Sequence, residues 1–382
     1  MKKIRIGLIG TGFAASLHME AFRRIPGYEV EIAGVSGRNL EKAKDFAAKY
    51  QIRRVYDSWI DMLADPQLDV IDVCTTPSSH MEMVTAALAA DKSVICEKPL
   101  TGCFDKQKLD LEALELELEA LLHAEKKSKG TFFYAENFVY APAVQKVAEF
   151  IRKTGEHILY MTGEESHSGS HAEHAGYWKY NGGGSLIRQG CHPVSALLYL
   201  KEQEGETGIR DVMADMGYLV PTLADEQKRY ISAKPVDVED FANMMVTFTD
   251  GTKAAVVSGD MILGGVRNKV EVFTTEGSYL CNIAPNTQMN VFHPEQDSLR
   301  DIYFTEKVET RAGWQSIFLQ EEYARGYISE LEDFVKCIAG DKDKPESGLA
   351  LACDTLRLIY AAYRSSDQGK RMKVENRQEM MI

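Results

Sequence analysis

Apolar positions in the first third of the chain alternate between two periods. Ile4, Ile6, Leu8 and Ile9 mark a strand. Ala14, Leu17, His18, Ala21, Phe22 and Ile25 then fall at helical spacing until Pro26-Gly27 stops the run. The exchange repeats as strand 29–35, a helix from its cap Asn39 to Tyr50, a short helix from Asp57 or Ser58 to Ala64, strand 70–74, helix 81–90, strand 93–96 and strand 131–134. Strands alternating with helices predict βαβ units on a parallel sheet. Residues 103–129 are ambiguous: Leu111, Leu114, Leu118 and Leu121 recur at helical spacing, whereas residues 114–119 alternate as a strand would. Leu, Glu and Ala favour helices and disfavour strands, so a helix is predicted.

The pattern changes after residue 136. A helix over 143–153 ends at Gly155 and a strand over 157–163 follows. Further strands are expected over 212–219, 241–249, 253–258, 269–274 and 278–283, the second and third joined at Asp250-Gly251. Helices 327–339 and 348–365 and a closing strand 371–374 complete the chain. At 382 residues it exceeds one ordinary core, so two domains are expected.

Composition narrows the class. The chain is 45% hydrophobic and 26% charged, with no low-complexity tract. A net charge of −13 repels nucleic acid and anionic membranes, so neither is expected as a partner. The 7 cysteines include no C-x-x-C pair, which fits reduced thiols in a cytoplasm. Met1-Lys2-Lys3 is basic, but glycines interrupt the apolar run behind it, so it does not read as a signal peptide. No stretch approaches a membrane span.

The first strand runs directly into Gly10-Thr11-Gly12-Phe13-Ala14-Ala15. Gly10 permits a tight turn, Gly12 lets a pyrophosphate approach the backbone, and Ala15 keeps the following helix close to the strand. That helix offers free N–H groups and the positive end of its dipole to phosphate. Glycine often serves only to turn, but strand before and amphipathic helix after favour dinucleotide binding. The next strand ends in Ser36-Gly37-Arg38, where an NAD site usually carries an acid. With no carboxylate to repel a 2′-phosphate, and Arg38 and Ser36 able to hold one, NADP is favoured slightly over NAD; the alternative is that Arg38 solvates a helix start.

The strand over 70–74 delivers Thr75-Thr76-Pro77-Ser78-Ser79-His80. Strand carboxyl ends bind ligands in such sheets, so Thr75, Thr76, Pro77 and His80 are cofactor candidates; a turn capped by Ser78 is the alternative. The strand over 93–96 delivers Glu97-Lys98-Pro99, a charged pair costly to bury unless paired or used. Pro99 keeps Lys98 out of the helical region, so its ammonium projects from extended backbone.

Gly10-x-Gly12-x-x-Ala15-x-x-His18, Thr75-Thr76-Pro77-x-x-His80 and Glu97-Lys98-Pro99, continued by Ala135-Glu136-Asn137 and Gly182-Gly183-Gly184, resemble the Gfo/Idh/MocA family of NAD(P)-dependent oxidoreductases. The resemblance covers essentially the whole chain. It implies an α/β protein with a Rossmann dinucleotide-binding domain over 1–135 and, over 136–382, an α+β domain with a large open, mostly antiparallel sheet. It further implies a carbohydrate-like substrate, and a homodimer or homotetramer paired through that sheet. Glu97 and Lys98 fall to the cofactor site, Lys98 also to catalysis, and Asn137 to the substrate.

A lone histidine such as His192, beside the apolar run Leu186, Ile187, Val194, Leu197, Leu198 and Leu200, is ordinarily a core residue. The resemblance reverses this, since the corresponding histidine of the family faces the nicotinamide. Family members usually carry Asp four residues earlier, where this chain has Arg188. An Arg one helical turn away should leave His192 neutral, able to act as general base while Lys98 hydrogen-bonds the same carbinol oxygen. Arg188 is then expected to bind a substrate carboxylate or hydroxyl pair. His167, His171 and His174 lie near Glu164 and Glu165, but Ser168, Gly169 and Ser170 make the segment a loop. Substrate binding by His167 and Tyr177 is preferred there to a metal site. Trp178-Lys179 matches a family Trp-Arg pair near the nicotinamide and phosphates.

These readings converge on a dehydrogenase of a ring hydroxyl. The alternatives are a glycosidase that oxidises its sugar transiently and keeps its cofactor, and a cofactor-sensing protein without catalysis.

Overall fold

The computed structural model describes residues 3–205, 208–284, 289–304, 307 and 310–374. The chain divides into two compact units, one formed by Met1–Tyr140 with Gly326–Asp354 and the other by Ala141–Arg325 with Thr355–Ile382. Residues 326–354 thus return to the first unit, whereas the sequence reading places all of 136–382 in one block.

The first unit contains β1 (Lys3–Ile9), α1 (Phe13–Phe22), β2 (Glu29–Ser36), α2 (Leu40–Tyr50), β3 (Arg54–Val55), α3 (Trp59–Leu63), β4 (Val70–Val73), α4 (His80–Ala89), β5 (Ser93–Glu97), α5 (Leu111–Lys127), β6 (Phe132–Ala135) and α6 (Asn137–Tyr140). Its strands form a parallel sheet in the order β3-β2-β1-β4-β5-β6. Ile4, Ile6 and Leu8 are fully buried in it, each worth about 1.5–3 kcal/mol. Strand order reverses direction between β1 and β4, which opens a crevice at their carboxyl ends. The ambiguous segment is helical: Asp110 caps α5 by accepting from Ala113 N–H, and Leu114, Leu118 and Leu121 are its buried stripe. Helix α1 stops at Phe22, short of Ile25.

The second unit opens with α7 (Pro142–Thr154), β7 (Ile158–Ser166), α8 (Trp178–Asn181) and α9 (Cys191–Glu202). It continues through β8 (Ile209–Gly217), β9 (Phe241–Phe248), β10 (Lys253–Gly259), β11 (Arg267–Thr274), β12 (Ser278–Asn282), β13 (Met289–His293), β14 (Gly313–Ile317) and α10 (Glu321–Ala324). Helix α11 (Tyr327–Ala339) belongs to the first unit, α12 (Leu349–Gln368) serves both in turn, and β15 (Met372–Lys373) closes the chain. The seven-stranded sheet runs β12-β11-β7-β10-β9-β8-β15. Only the β7–β10 pair is parallel, so the sheet is mostly antiparallel as expected.

One face of this sheet buries Met161, Val256, Val270 and Val272, and α9 packs against β7, β10 and β11. On the other face, strand register aligns Met213, Met245, Ala255, Thr162, Glu271 and Leu280 in one row. Met213, Met245 and Leu280 are exposed there, and Tyr160 stacks on Phe273 at 5.9 Å. The hairpin β13–β14 stands outside this sheet and is absent from the sequence reading.

Candidate active site

In the first unit, register places the ends of β1, β2 and β4 side by side, with Ile9 opposite both Ser36 and Val73. Gly10 adopts φ +114°, a conformation open to glycine, and its N–H donates to Ser36 O at 2.8 Å. A Cβ on Gly10 would stand 2.2 Å from Cys74 O, so the three strand ends close around a residue without one. Gly12 differs: a Cβ there meets nothing within 4 Å. Helix α1 begins at this point with no side-chain cap and no acid in its first turn. Its N–H groups and positive dipole end therefore face a cradle that suits a pyrophosphate. Thr11 and Ala14 are partly exposed and Phe13 is 68% exposed beside it. Ser36 is buried, Gly37 lies against Thr11, and Arg38 is exposed, so both predicted cofactor segments meet.

Thr75, Thr76 and Pro77 are partly exposed in a turn stapled by Ser79 Oγ, which donates to Thr75 Oγ1 and Thr76 O, both at 2.9 Å. His80 lies deeper than the rest of this turn. It is fully buried, with Nδ1 2.9 Å from Pro99 O and Nε2 3.2 Å from Thr75 O. Burial holds its pKa below the usual histidine value, against the pull of those carbonyls. His80 thus ties the Thr75 turn to Pro99.

Glu97 ends β5, and its Oε2 accepts from Lys98 N–H at 3.0 Å. Its Oε1 lies 3.3 Å from His18 Nε2, while His18 Nδ1 lies 2.9 Å and 3.1 Å from the two oxygens of Asp72. Cys74 Sγ approaches the same Nδ1 at 3.4 Å, and burial keeps it a thiol. Of this cluster the predicted site residues include Glu97 but not His18, Asp72 or Cys74. Its only sequence signal is a lone Asp72 inside an otherwise apolar strand, facing a histidine on the apolar stripe of α1. Asn137 is 2% exposed at the start of α6.

In the second unit, Glu239 organises the triple-glycine turn. Fully buried, it accepts from Gly184 N–H at 2.9 Å, Leu186 N–H at 3.0 Å and Tyr363 O–H at 2.7 Å. A Cβ on Gly184 would lie 1.9 Å from Glu239 O, which explains the glycine. Burial pushes the Glu239 carboxyl up to about 7. A π turn over Leu186–Gly190 leads into α9, whose second residue His192 is 4% exposed. Such turns recur at functional sites.

Arg188, four residues before His192, has a carboxylate partner of its own. Arg188 Nη2 donates to Asp260, as does Gln189 Nε2. The π turn inserts a residue into the helical register between the glycine turn and α9. A carboxylate facing His192 is Glu165 on β7, with Oε2 3.9 Å from Nε2. Arg188, Asp260, Ser170, Gly176 and Lys234 line a recess beside the histidine loop.

His167 Nδ1 accepts from Gly169 N–H at 2.9 Å. His171 is held below its usual pKa by Lys307, then by burial and Lys234, and His174 by burial and Arg188. Among the described residues, no three-ligand grouping includes any of these histidines. Tyr177 is partly exposed, with Lys179 lying 5.7 Å from its ring and 4.9 Å from that of Tyr180. Trp178 is 4% exposed, packs edge-on against Tyr363 at 5.1 Å, and donates its backbone N–H to Asp237, a packing role the sequence reading did not give it.

Residues 4–135 match the model of an oxidoreductase family with an NAD-binding Rossmann fold, and residues 156–280 match the GFO/IDH/MocA C-terminal domain. The uncharacterized oxidoreductase YrbE of Bacillus subtilis is 24% identical, the match covering 99% of each chain. Myo-inositol 2-dehydrogenase of Thermotoga maritima is 23% identical over 97% of this chain and 99% of its own. Among solved structures, levoglucosan dehydrogenase in complex with NADH and levoglucosan superposes with a TM-score of 0.76 at 22% identity, covering 98% of this chain and all of the other.

Proposed function

Since the chain belongs to the Gfo/Idh/MocA family of NAD-binding oxidoreductases, we propose that it oxidises a secondary hydroxyl of a sugar, polyol or glycoside with NAD(P), NADP being slightly favoured. The observation that carries the reading is the uncapped start of α1, open at Gly12, in the unit that presents Lys98 at the end of β5. Relatives named for myo-inositol and levoglucosan support a polyhydroxylated ring as the substrate class.

Gly10, Thr11, Gly12, Phe13 and Ala14 hold the pyrophosphate, Ser36, Gly37 and Arg38 the adenosine ribose, and Thr75, Thr76 and Pro77 line the same crevice. When bound, NAD(P) supplies the acceptor for the carbinol hydrogen. The Lys98 ammonium donates a hydrogen bond to the reacting oxygen and favours its deprotonation. His192 takes the hydroxyl proton, and Glu165 stabilises the imidazolium that results. His167, Tyr177, Asn137 and Arg188 contact the remaining substrate hydroxyls, Arg188 from its pairing with Asp260. Subunits pair through the exposed Met213–Met245–Leu280 face of the sheet.

The test is a panel of myo-inositol, levoglucosan, monosaccharides and aryl glycosides, each with NAD and NADP. Absorbance rising at the reduced-nicotinamide band with at least one sugar is expected. Lys98→Ala and His192→Ala should each lower turnover by about a hundredfold to ten-thousandfold. If both variants kept most of their turnover, the assignment would fail. Aglycone release without that absorbance change would replace the dehydrogenase with a cofactor-retaining glycosidase.

A further inference from the structure

The first unit buries more ionisable groups behind Lys98 than a core requires. His18 on α1 and Asp72 on β4 are 1% and 0% exposed, and Glu330 on α11 is 1% exposed. Glu97 has 13% of its side chain exposed. The ring of His18 has a carboxylate on each side: Asp72 within 2.9 Å of Nδ1 and Glu97 at 3.3 Å from Nε2. An imidazolium is hydrogen-bonded to Asp72 through Nδ1 and sits at ion-pair distance from Glu97 through Nε2, whereas a neutral ring protonated at Nδ1 would leave a lone pair turned towards the Glu97 carboxylate. The charged ring suits both neighbours.

The surroundings agree. Burial works against a charge on His18, but Asp72 and Cys74 raise its pKa well above the usual histidine value. Burial drives Glu330 well above the carboxylate range, with His18 opposing and Glu97, Glu136 and Asp72 reinforcing it. The buried Oε2 of Glu330 has no hydrogen-bond partner. One imidazolium remains between two carboxylates, with the Cys74 thiol against it. An arrangement of this kind is expensive in a low-dielectric interior unless it holds something in place.

What it holds is Glu97. One oxygen of that carboxylate faces His18 and the other accepts the Lys98 backbone N–H at 3.0 Å. We propose that His18 is a positioning residue of the oxidoreductase reaction: tethered to Asp72, it clamps Glu97, and Glu97 fixes the backbone from which the Lys98 side chain reaches its substrate. The proposal rests on the role given to Lys98 above, but its first test does not.

In uniformly ¹⁵N-histidine-labelled protein, the resonances that disappear in His18→Gln identify His18. Both of its ring nitrogens should carry protons from pH 6 to 8.5, and a neutral-imidazole pattern at pH 7 overturns the proposal. The spectrum is read on the protein alone, so it stands or falls independently of the dehydrogenase reading. The second test compares His18→Gln, Glu97→Gln and the double variant on the panel sugar that turns over. His18→Gln should lower kcat by about ten- to a hundredfold with little change in the KM for cofactor. The double variant should be no slower than Glu97→Gln, because His18 acts through Glu97. Multiplying losses, or an unchanged kcat in His18→Gln, would overturn the proposal. If His18→Gln fails to fold, the double variant, which joins two neutral amides, supplies the difference spectrum instead.

Discussion

Glu239 shows how one side chain ties a glycine turn to pH. Its folded-state pKa of about 7 lies above the ordinary carboxylate value, burial being the main cause. Protonation therefore favours the folded state: the contribution is complete below the unfolded pKa and is lost as pH rises through 7. A shift of this size corresponds to about 2–4 kcal/mol. The melting temperature should fall between about pH 4.5 and 7 and level off above, and Glu239→Gln should flatten that slope in calorimetric scans at several pH values. A slope of equal steepness in the variant would assign the pH dependence elsewhere. The turn itself is legible in the sequence as three consecutive glycines, but Glu239 is not, because 53 residues separate it from Leu186, whose N–H it accepts. Arg188 illustrates the same limit. Its charge is plain from the sequence, yet its partner Asp260 lies 72 residues away, beyond the reach of local reading.

Among elements, α1 carries the sharpest expectation. Gly12 has φ −86°, which any residue adopts, and a Cβ there meets nothing, so Gly12→Asp leaves the backbone undisturbed. An aspartate at a helix N-cap stabilises the helix while repelling a pyrophosphate. The variant should keep its melting temperature or raise it, while NADH affinity, read by nicotinamide fluorescence, drops at least about tenfold. Unchanged affinity would move the phosphates away from this cradle. The elements of the first unit are legible because the hydrophobic period switches cleanly between strand and helix, and α5 is settled by propensity alone. Strand β3, with two residues, and the hairpin β13–β14 are not, since neither shows a period long enough to register. Strand β7 runs on to Ser166 because Glu164 pairs with Arg267 across the sheet at 2.8 Å, a partner that local reading does not supply.

At the scale of the molecule, the exposed row on the seven-stranded sheet predicts assembly. Met245 and Leu280 are 45% and 70% exposed on a face otherwise suited to burial. Light scattering should return a multiple of 42.7 kDa, and Met245→Lys with Leu280→Lys should shift it towards one chain. A wild-type monomer would exclude pairing through this face. The other feature at this scale is the interrupted first unit. Helix α11, which sets Phe334 against Phe133 at 5.1 Å and gives Tyr140 its partner Asp333 at 3.1 Å, is encoded after Gly326. During synthesis the nucleotide-binding half must therefore wait, with an aromatic wall bare, until the whole intervening half has left the ribosome. Its final closure is a late event in the life of the nascent chain, although its glycine corner is among the first segments made.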